Sequence, residues 1–342
     1  MKRILKIFLI ALALLLVSAA LFSYYVLLTP NISLLKREQP FVFVATGSVY
    51  DEVLASLDTS VAMKSKFTFG LTAGLLNYPE RVRAGRYKIY SGISNLALLK
   101  LLRSGKQTPV NLVFNSTRTK EQFAERISEQ LEAKYDTMLQ LLNDKEFLSS
   151  YGLNPHTALT LFIPNTYEFF WNTSSKGFFY RMKKEHDTFW NEERKQKAAA
   201  LGLSEKEVTV VASIVEQETQ GNDEKPILAG VYLNRLRKNM KLDADPTLIF
   251  ALGDYTIKRV LNEHKKIDSP YNTYKNNGLP PGPICIPSIA SIDAVLNRVP
   301  HNYLYFCAKD DFSGYHVFAS TYAQHQINAR RFHSALNRRG IK

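Results

Sequence analysis

An almost uninterrupted apolar run at residues 7–28 limits how this chain can fold more than any other feature. The run is long enough for a helix to cross a bilayer, where a single segment satisfies its backbone hydrogen bonds only as a helix. Basic residues within residues 1–6 precede it, and such residues favour the cytoplasmic side of a membrane. The sequence therefore predicts a cytoplasmic tail (residues 1–6), a transmembrane signal anchor (residues 7–28) and an extracytoplasmic remainder.

Removal of this run as a signal peptide is the alternative, because Val17-Ser18-Ala19 fits a cleavage site. The run continues well past Ala19, further than the apolar region of a typical signal peptide. We therefore expect a single-pass protein of the cell inner (plasma) membrane, with its N-terminus in the cytoplasm and its folded part in the periplasm or an equivalent extracytoplasmic space.

Length and charge limit the classes of partner. The 342 residues suggest two folded units, and 44 basic against 31 acidic residues give a formal net charge of +13. Such a surface favours anionic partners. The basic residues are scattered, the chain contains no recognised nucleic-acid motif, and the predicted compartment holds no nucleic acid. We expect a membrane among the partners, and no nucleic acid.

The two cysteines, Cys285 and Cys307, lie in the exported part of the chain. An oxidising compartment permits a disulfide between them, but both have apolar neighbours, so two buried free thiols are at least as good a prediction. Neither has a histidine at the spacing of a metal site or an activated nucleophile, so we expect no such role for either.

Residues 40–108 predict a small α+β module, which follows a short tether ending at about Glu38. Strand-like alternation at Phe41–Val44 and Gly85–Tyr90 combines with helical patterns in the order strand, helix, helix, strand, helix. Gly105 stands where the last helix should end. The module holds no cluster of titratable groups, so binding or spacing is a better prediction for it than chemistry.

Residues 109–338 predict a larger domain of mixed α+β type. Apolar periodicity and capping signals indicate several helices, among them residues 225–237 and 321–338, whereas residues 303–308 and 316–318 are typical of strands. Residues 278–283 contain three prolines and cannot form a helix or a central strand. A rigid loop of this kind suits the wall of a groove.

One helix of the larger domain carries the best candidate for chemistry. Ser204 and Glu207 form a capping box, and Gly221 stands where the helix should end. Between them, apolar residues recur at helical spacing: Val208, Val211, Ile214 and Val215. At about 100° per residue, Glu218 falls on this apolar face and Glu216 points roughly 200° away. Burial would raise the pKa of Glu218, as a general acid near neutral pH requires.

The alternative for this helix is ordinary. Most glutamates in amphipathic helices are solvated or paired, so the helix alone is weak support for catalysis. Asp245 is the best candidate for a second carboxylate, and a structural or substrate hydrogen-bonding role is preferred for it.

Six stretches resemble, in order and spacing, the motifs of the endolytic murein transglycosylases (the MltG or YceG-like family). They are S-I-V-E-Q-E-T (213–219), Y-L-N-R-L (232–236), D-P-T (245–247), Y-N-T-Y (271–274), G-L-P-P-G-P-I (278–284) and Y-L-Y-F (303–306). The anchor matches as well, and the small module resembles the family's LysM-like subdomain. The resemblance implies a LysM-like subdomain at residues 40–108 and a transglycosylase catalytic domain at residues 109–338.

The resemblance implies cleavage of the β-1,4 links between N-acetylmuramic acid and N-acetylglucosamine within nascent peptidoglycan strands. This would terminate glycan elongation and leave 1,6-anhydro-muramoyl ends. Glu218 matches the family's catalytic glutamate. One carboxyl suffices because the sugar's own C6 hydroxyl is the nucleophile, whereas ordinary glycosidases need two carboxylates. The resemblance implies no metal and no organic cofactor.

Further residues match family motifs near the groove and would hydrogen-bond acetamido and hydroxyl groups of the substrate: Asn234, Asp245, Thr247, Tyr271, Asn272 and Thr273. Loop architecture is an equal alternative for each, and for Asp245 it is an interaction with a helix N-terminus. Glu216 is expected behind the site, paired with Arg235 or Arg237. The chain departs from the family pattern at Asn165, where the family has an acid, and at Asn115-Ser116, where it has Glu-Gly.

Two rival functions stay open at this point. One is a non-catalytic peptidoglycan-binding or division scaffold that keeps the fold, and the other is a hydrolase that uses water in place of the C6 hydroxyl. Peptidoglycan glycan strands are the expected partner, and the family resemblance adds peptidoglycan synthases.

Overall fold

The computed structural model of the protein describes residues 2–36, 40–257 and 259–339. The fold mixes helices and short antiparallel strands, which confirms the predicted α+β class. The helices are α1 (Lys2–Leu28), α2 (Tyr50–Ser60), α3 (Lys66–Leu75), α4 (Asn95–Ser104), α5 (Lys120–Ser128), α6 (Tyr135–Leu141), α7 (Lys145–Ser149), α8 (Ser175–Phe189), α9 (Glu192–Ala200), α10 (Glu205–Glu218), α11 (Lys225–Arg237), α12 (Asp245–Leu252), α13 (Ile289–Leu296) and α14 (Tyr322–Arg338).

The strands form two-stranded sheets. They are β1 (Ile32–Leu34), β2 (Phe41–Val44), β3 (Val61–Met63), β4 (Gly85–Lys88), β5 (Val110–Phe114), β6 (Asn165–Phe169), β7 (Tyr305–Ala308) and β8 (His316–Ala319). The pairs are β1 with β3, β2 with β4, β5 with β6 and β7 with β8. Short 3-10 helices occur at Pro79–Arg81, Ala158–Leu161 and His264–Lys266.

The chain divides into two compact units that are not continuous in sequence. The first unit consists of residues 1–112, 130–132 and 167–174, and the second holds the rest. The predicted domains were continuous segments, 40–108 and 109–338, and so did not assign the two short later stretches to the first unit.

The first unit has its own hydrophobic core. In β2, Val42 and Val44 are buried whereas Phe43 is exposed, as alternation requires of a strand with one face on a core. Ser94 caps α4, and Gly105 ends it with φ +71°, a left-handed conformation that glycine adopts without strain. Both ends of this helix therefore lie where the sequence predicted.

The prediction of a tether after the anchor is wrong for residues 30–36. Asn31 is buried, and its side chain donates to Ser65 O (3.0 Å) and Asn95 Oδ1 (2.6 Å). Directly after it, β1 pairs antiparallel with β3. A three-residue strand is too short to show alternation, and its partner lies about thirty residues away, so local sequence patterns could not reveal it. The end of the predicted tether, near Glu38, lies outside the described residues.

The second unit is built around α10. Helices α11 and α13 pack on it, and their buried side chains form one core with those of α10. The β7–β8 hairpin packs against α14. Helix α13 begins after Ser288, whose side chain accepts from Ser291 N, and ends at Leu296.

Candidate active site

Helix α10 holds Glu218 at its last position. The predicted capping box is present: Ser204 Oγ accepts from Glu207 N (3.3 Å), and Glu207 Oε2 accepts from Ser204 N (2.8 Å). Residues 208–215 are all buried, which fixes the helix axially and rotationally. The helix ends before the predicted Gly221, because Thr219 is already extended (φ −142°, ψ 145°). Glu218 thus lies at the point where the backbone leaves the helix.

Glu218 is partly exposed as a whole residue, but its carboxyl is shielded from water and bonded to a tyrosine. Tyr232 Oη donates to Glu218 Oε1 at 2.5 Å. Burial raises the pKa of Glu218 to about 7; the bond from Tyr232 opposes this rise, and the negative charge of Asp245 adds to it. A carboxyl in this state can donate a proton near neutral pH and can take one back.

Tyr232 is a site residue that was absent from the predicted set. It lies on α11 with its side chain fully buried, and its ring packs edge-on against Phe306, with centroids 6.0 Å apart. Burial raises the pKa of the Tyr232 hydroxyl, and the adjacent Glu218 raises it further, so the group stays a donor. Its only sequence signal was its place at the head of the Y-L-N-R-L motif, which had pointed to Asn234.

Asp245 and Tyr274 form a second pair beside Glu218. Asp245 is exposed at the start of α12, and Tyr274 Oη donates to its Oδ1 at 2.5 Å. Burial and then this hydrogen bond raise the pKa of Tyr274. Tyr274 therefore holds the Asp245 carboxylate in place, and the negative charge of Asp245 raises the pKa of Glu218. Tyr274 was also absent from the predicted set, although it ends the Y-N-T-Y motif.

Three predicted substrate-binding residues are buried and bond to the protein. Thr273 Oγ1 accepts from Ala244 N (3.0 Å) and bonds to Thr247 Oγ1 (2.8 Å). Asn272 Nδ2 donates to Lys265 O (3.0 Å) and Ile267 O (2.8 Å). These contacts match the alternative of loop architecture: Thr273 holds the loop that carries Tyr274 against the start of α12, and Asn272 holds it against residues 265–267.

The other two predicted binding residues lie apart from each other. Asn234 Nδ2 donates to His301 O (2.8 Å) and Tyr303 O (3.1 Å), which ties α11 to the segment before β7. Tyr271 is half-buried, and burial raises its pKa to about 12. It lines a pocket of about 300 Å³ together with Arg118, Thr119, Lys120, Glu121, Asn143, Pro155, His156, Leu159, Phe250, Tyr255 and Pro283.

Glu216 lies behind the site as predicted, but its predicted pairing with Arg235 or Arg237 is wrong. Its partner is Lys225 at 3.1 Å, and Ser288 and Ser291 also donate to it through their hydroxyls. Burial opposes ionisation, but these bonds and the lysine charge outweigh it and lower the pKa of Glu216. Helix α10 turns this side chain towards α13 and the start of α11, whereas Arg235 lies three turns further along α11.

The proline-rich loop forms a close contact that requires glycine. A Cβ at Gly282 would lie 1.9 Å from His156 O, so the backbone of the loop passes directly over that carbonyl. Ile284 N then donates to Ser213 Oγ of α10 (3.0 Å). The loop is thereby fixed to α10, the helix that carries Glu218. Pro283 of the same loop also lines the Tyr271 pocket.

The two cysteines and possible metal ligands were also compared with the candidate active site. Cys285 and Cys307 are both free thiols, and burial raises the pKa of Cys285 to about 11. Within residues 2–36, 40–257 and 259–339, no group of three His, Cys, Asp or Glu side chains is arranged to hold a metal ion.

Comparisons with known proteins agree with the motifs. The model of the YceG-like family matches residues 42–331. An endolytic murein transglycosylase of Bacillus subtilis (strain 168) is 30% identical over 278 residues, which are 75% of this chain and 74% of that protein. One from Streptococcus pneumoniae (strain ATCC BAA-255 / R6) is 28% identical over 335 residues, which are 86% of this chain but 59% of the longer relative.

A solved structure leads to the same family. The crystal structure of a YceG-like protein from Listeria monocytogenes is 28% identical in sequence, with a TM-score of 0.57, and the match covers 84% of this chain and 97% of that one. The family model covers well over half of the chain, and the resemblance predicted from the six motifs is therefore confirmed. This chain belongs to the YceG-like family.

Proposed function

We propose that the protein is an endolytic peptidoglycan lytic transglycosylase with Glu218 as its single general acid and base. The observation that carries the proposal is the Glu218 carboxyl, which burial poises at a pKa of about 7 and which Tyr232 holds at 2.5 Å. The names of the Bacillus and Streptococcus relatives support the same reaction. The substrate is the β-1,4 link between N-acetylmuramic acid and N-acetylglucosamine within a glycan strand.

In the first step Glu218 acts as the acid. Its proton passes to the glycosidic oxygen while the bond between C1 of the muramic sugar and O4 of the glucosamine breaks. Tyr232 stays bonded to the other side of the carboxyl and so orients it. The charge of Asp245 favours the protonated form that this step needs.

In the second step Glu218 acts as the base. O6 of the muramic sugar forms a bond with C1, and the Glu218 carboxylate takes the proton of the C6 hydroxyl. The enzyme returns to its protonated state, no water is consumed, and the products are a 4-hydroxyl end and a 1,6-anhydro end. A glycosidase that used water would need a second carboxylate as base or nucleophile.

The buried residues around Glu218 support the site. Thr247, Asn272 and Thr273 fix the loops that present Asp245 and Tyr274, and Asn234 fixes α11, which carries Tyr232. Tyr271 lies on the wall of the pocket described above, and there it offers an aromatic face to a sugar ring or an attached group.

The same proposal includes location and partners. Helix α1 anchors the chain in the plasma membrane by a single pass with a cytoplasmic N-terminus, because it is 27 residues long, apolar after residue 6, and basic at its N-terminal end. Nascent strands and the synthases that make them lie at the outer face of that membrane. A pull-down of the intact anchored protein that repeatedly lacked those synthases would count against the partnership.

The reaction is tested by mass spectrometry of purified glycan strands digested with the full-length protein in detergent, beside its Glu218→Gln variant. Anhydro-muramoyl ends that appear with wild type and vanish with the variant are the expected result. Reducing ends would make the protein a hydrolase and direct attention to Asp245. Strand binding without new ends would establish a non-catalytic scaffold.

A further inference from the structure

The outward face of α3 in the first unit is apolar. Phe67, Leu71 and Leu75 recur at positions i, i+4 and i+8 and are 69%, 38% and 74% exposed. The exposed positions between them are Gly70 and Gly74. Water-facing helix surfaces of globular proteins normally carry polar side chains. We call Phe67, Leu71 and Leu75 the α3 stripe.

Helices α2 and α4 of the same unit show the ordinary pattern. The exposed positions of α2 are Asp51, Glu52, Ala55, Asp58 and Thr59. On α4 they include Lys100 and Ser104. The α3 stripe is therefore a local property of one helix, and a contiguous apolar patch of this kind marks a surface that water does not cover in use.

The end of the apolar helix α1 lies directly on this part of the unit. Val26 is 3% exposed, and its carbonyl accepts from Asn95 Nδ2 (2.9 Å) and from Thr72 Oγ1 (3.4 Å). Thr72 follows Leu71 on α3. Carbonyls in the last turn of a helix have no partner within the helix, and here the folded unit supplies donors. The unit is thus bonded directly to the last turn of α1.

Two tyrosines fix the level at which this contact occurs. Tyr24 and Tyr25 are exposed on α1, one turn or less before the docked Val26. Exposed tyrosines at the end of an apolar span are typical of the interface between lipid and water. Helix α3, which contacts α1 at the adjacent residue Val26, therefore lies at the membrane surface.

We propose that the first unit is seated on the bilayer, with the α3 stripe inserted among the lipid headgroups and upper acyl chains. The occupant of this face is the membrane in which α1 is anchored, and the inference rests on the proposed anchor. Amphipathic helices bind in this way when an apolar face lies parallel to the interface. The unit then acts as a fixed platform at the membrane surface.

The test places single nitroxide labels on the full-length protein in lipid nanodiscs, in a Cys285→Ala/Cys307→Ala background. Labels at Leu71 and Leu75 report the stripe, a label at Leu14 reports α1, and labels at Ala55 and Lys100 are water-facing controls. Collision rates are measured with oxygen, which concentrates in lipid, and with a water-soluble nickel chelate. The expected ratio of oxygen to nickel collisions at Leu71 and Leu75 is severalfold higher than at Ala55 and Lys100.

Each other outcome has a distinct meaning. A high ratio of oxygen to nickel collisions at Leu14, with ratios at Leu71 and Leu75 as low as at the controls, would overturn the contact of the first unit with the bilayer and leave the anchor intact. A low ratio of oxygen to nickel collisions at Leu14 would contradict both the anchor and the contact of the first unit with the bilayer, without bearing on the role of Glu218. Dipolar broadening between Leu75 labels on two molecules would show that a second copy covers the stripe, which also overturns the proposal.

Discussion

Two glutamates two residues apart on α10 have opposite environments. Glu216 faces a lysine and two serine hydroxyls, and its pKa is lowered. Glu218 faces a tyrosine and a neighbouring negative charge, and its pKa is raised to about 7. Both are largely shielded from water, so burial disfavours ionisation in each. What separates them is whether a cation and enough donors compensate for that burial.

The comparison shows how one helix can carry both a structural glutamate, which fixes its position, and a glutamate that can exchange a proton. The Glu216 side is a buried ion pair that ties α10 to α13 and α11. Within the part of the chain that the structure describes, the Glu218 carboxyl accepts one hydrogen bond, from Tyr232, and can still exchange a proton. Structural and chemical roles are therefore divided between the two sides of one helix end.

The largest expected effect is the loss of cleavage on the Glu218 side. Glu218→Gln keeps the size of the side chain but removes the proton donor, and general acid–base catalysis contributes about 10²–10⁴-fold. We expect the rate of anhydro-end formation by mass spectrometry to fall by at least that range. Near wild-type cleavage would show that another group acts as the acid.

The next effect falls on stability and belongs to the Glu216 side. Glu216→Ala would leave Lys225, 4% exposed, with an uncompensated charge, and removing one partner of a buried pair costs about 3–5 kcal/mol. Denaturant unfolding measures this loss. Glu185→Ala, which breaks a surface pair with Arg181, is the matched control and should change the free energy of unfolding far less. Equal losses in the two variants would contradict the contrast between buried and surface pairs.

The two carboxyls should also give opposite pH dependences of stability. The raised pKa of Glu218 gives stability below the ordinary value of 4.5 that is lost as pH rises through about 7. The lowered pKa of Glu216 gives stability above 4.5 that is lost as pH falls through its folded value. Glu218→Gln should therefore gain about 3 kcal/mol over wild type between pH 4.5 and pH 8. Parallel stability curves of the two proteins across that range would contradict the raised pKa.

Sequence patterns captured the helix but not its partners. The capping box and the apolar periodicity placed α10 and the direction of Glu218, because these are local properties. Tyr232 comes from another helix, and Lys225 replaced the predicted arginines because the packing of α11 on α10 set which end of α11 Glu216 meets. Residues 30–36 likewise needed a distant strand to define them. Interactions between elements were beyond what periodicity and caps encode.

Tyr232 offers a way to sharpen the comparison through pH. Its hydrogen bond lowers the pKa of Glu218, so Tyr232→Phe should raise that pKa further. Because Glu218 must be protonated to act as the acid, the alkaline limb of kcat/KM should move to higher pH. A merely structural role would lower the rate without moving the limb.

The smallest expected effect comes from Asp245, and it has the opposite sign. The charge of Asp245 is the smallest of the three influences on the pKa of Glu218 and raises it, so Asp245→Asn should lower that pKa slightly. The alkaline limb should then move to lower pH, against the direction expected for Tyr232→Phe. Tyr274→Phe keeps the charge and removes only the donor to Asp245, so its limb should stay close to that of wild type. A shift in the same direction for Asp245→Asn and Tyr232→Phe would mean that Asp245 acts on the substrate and not through Glu218.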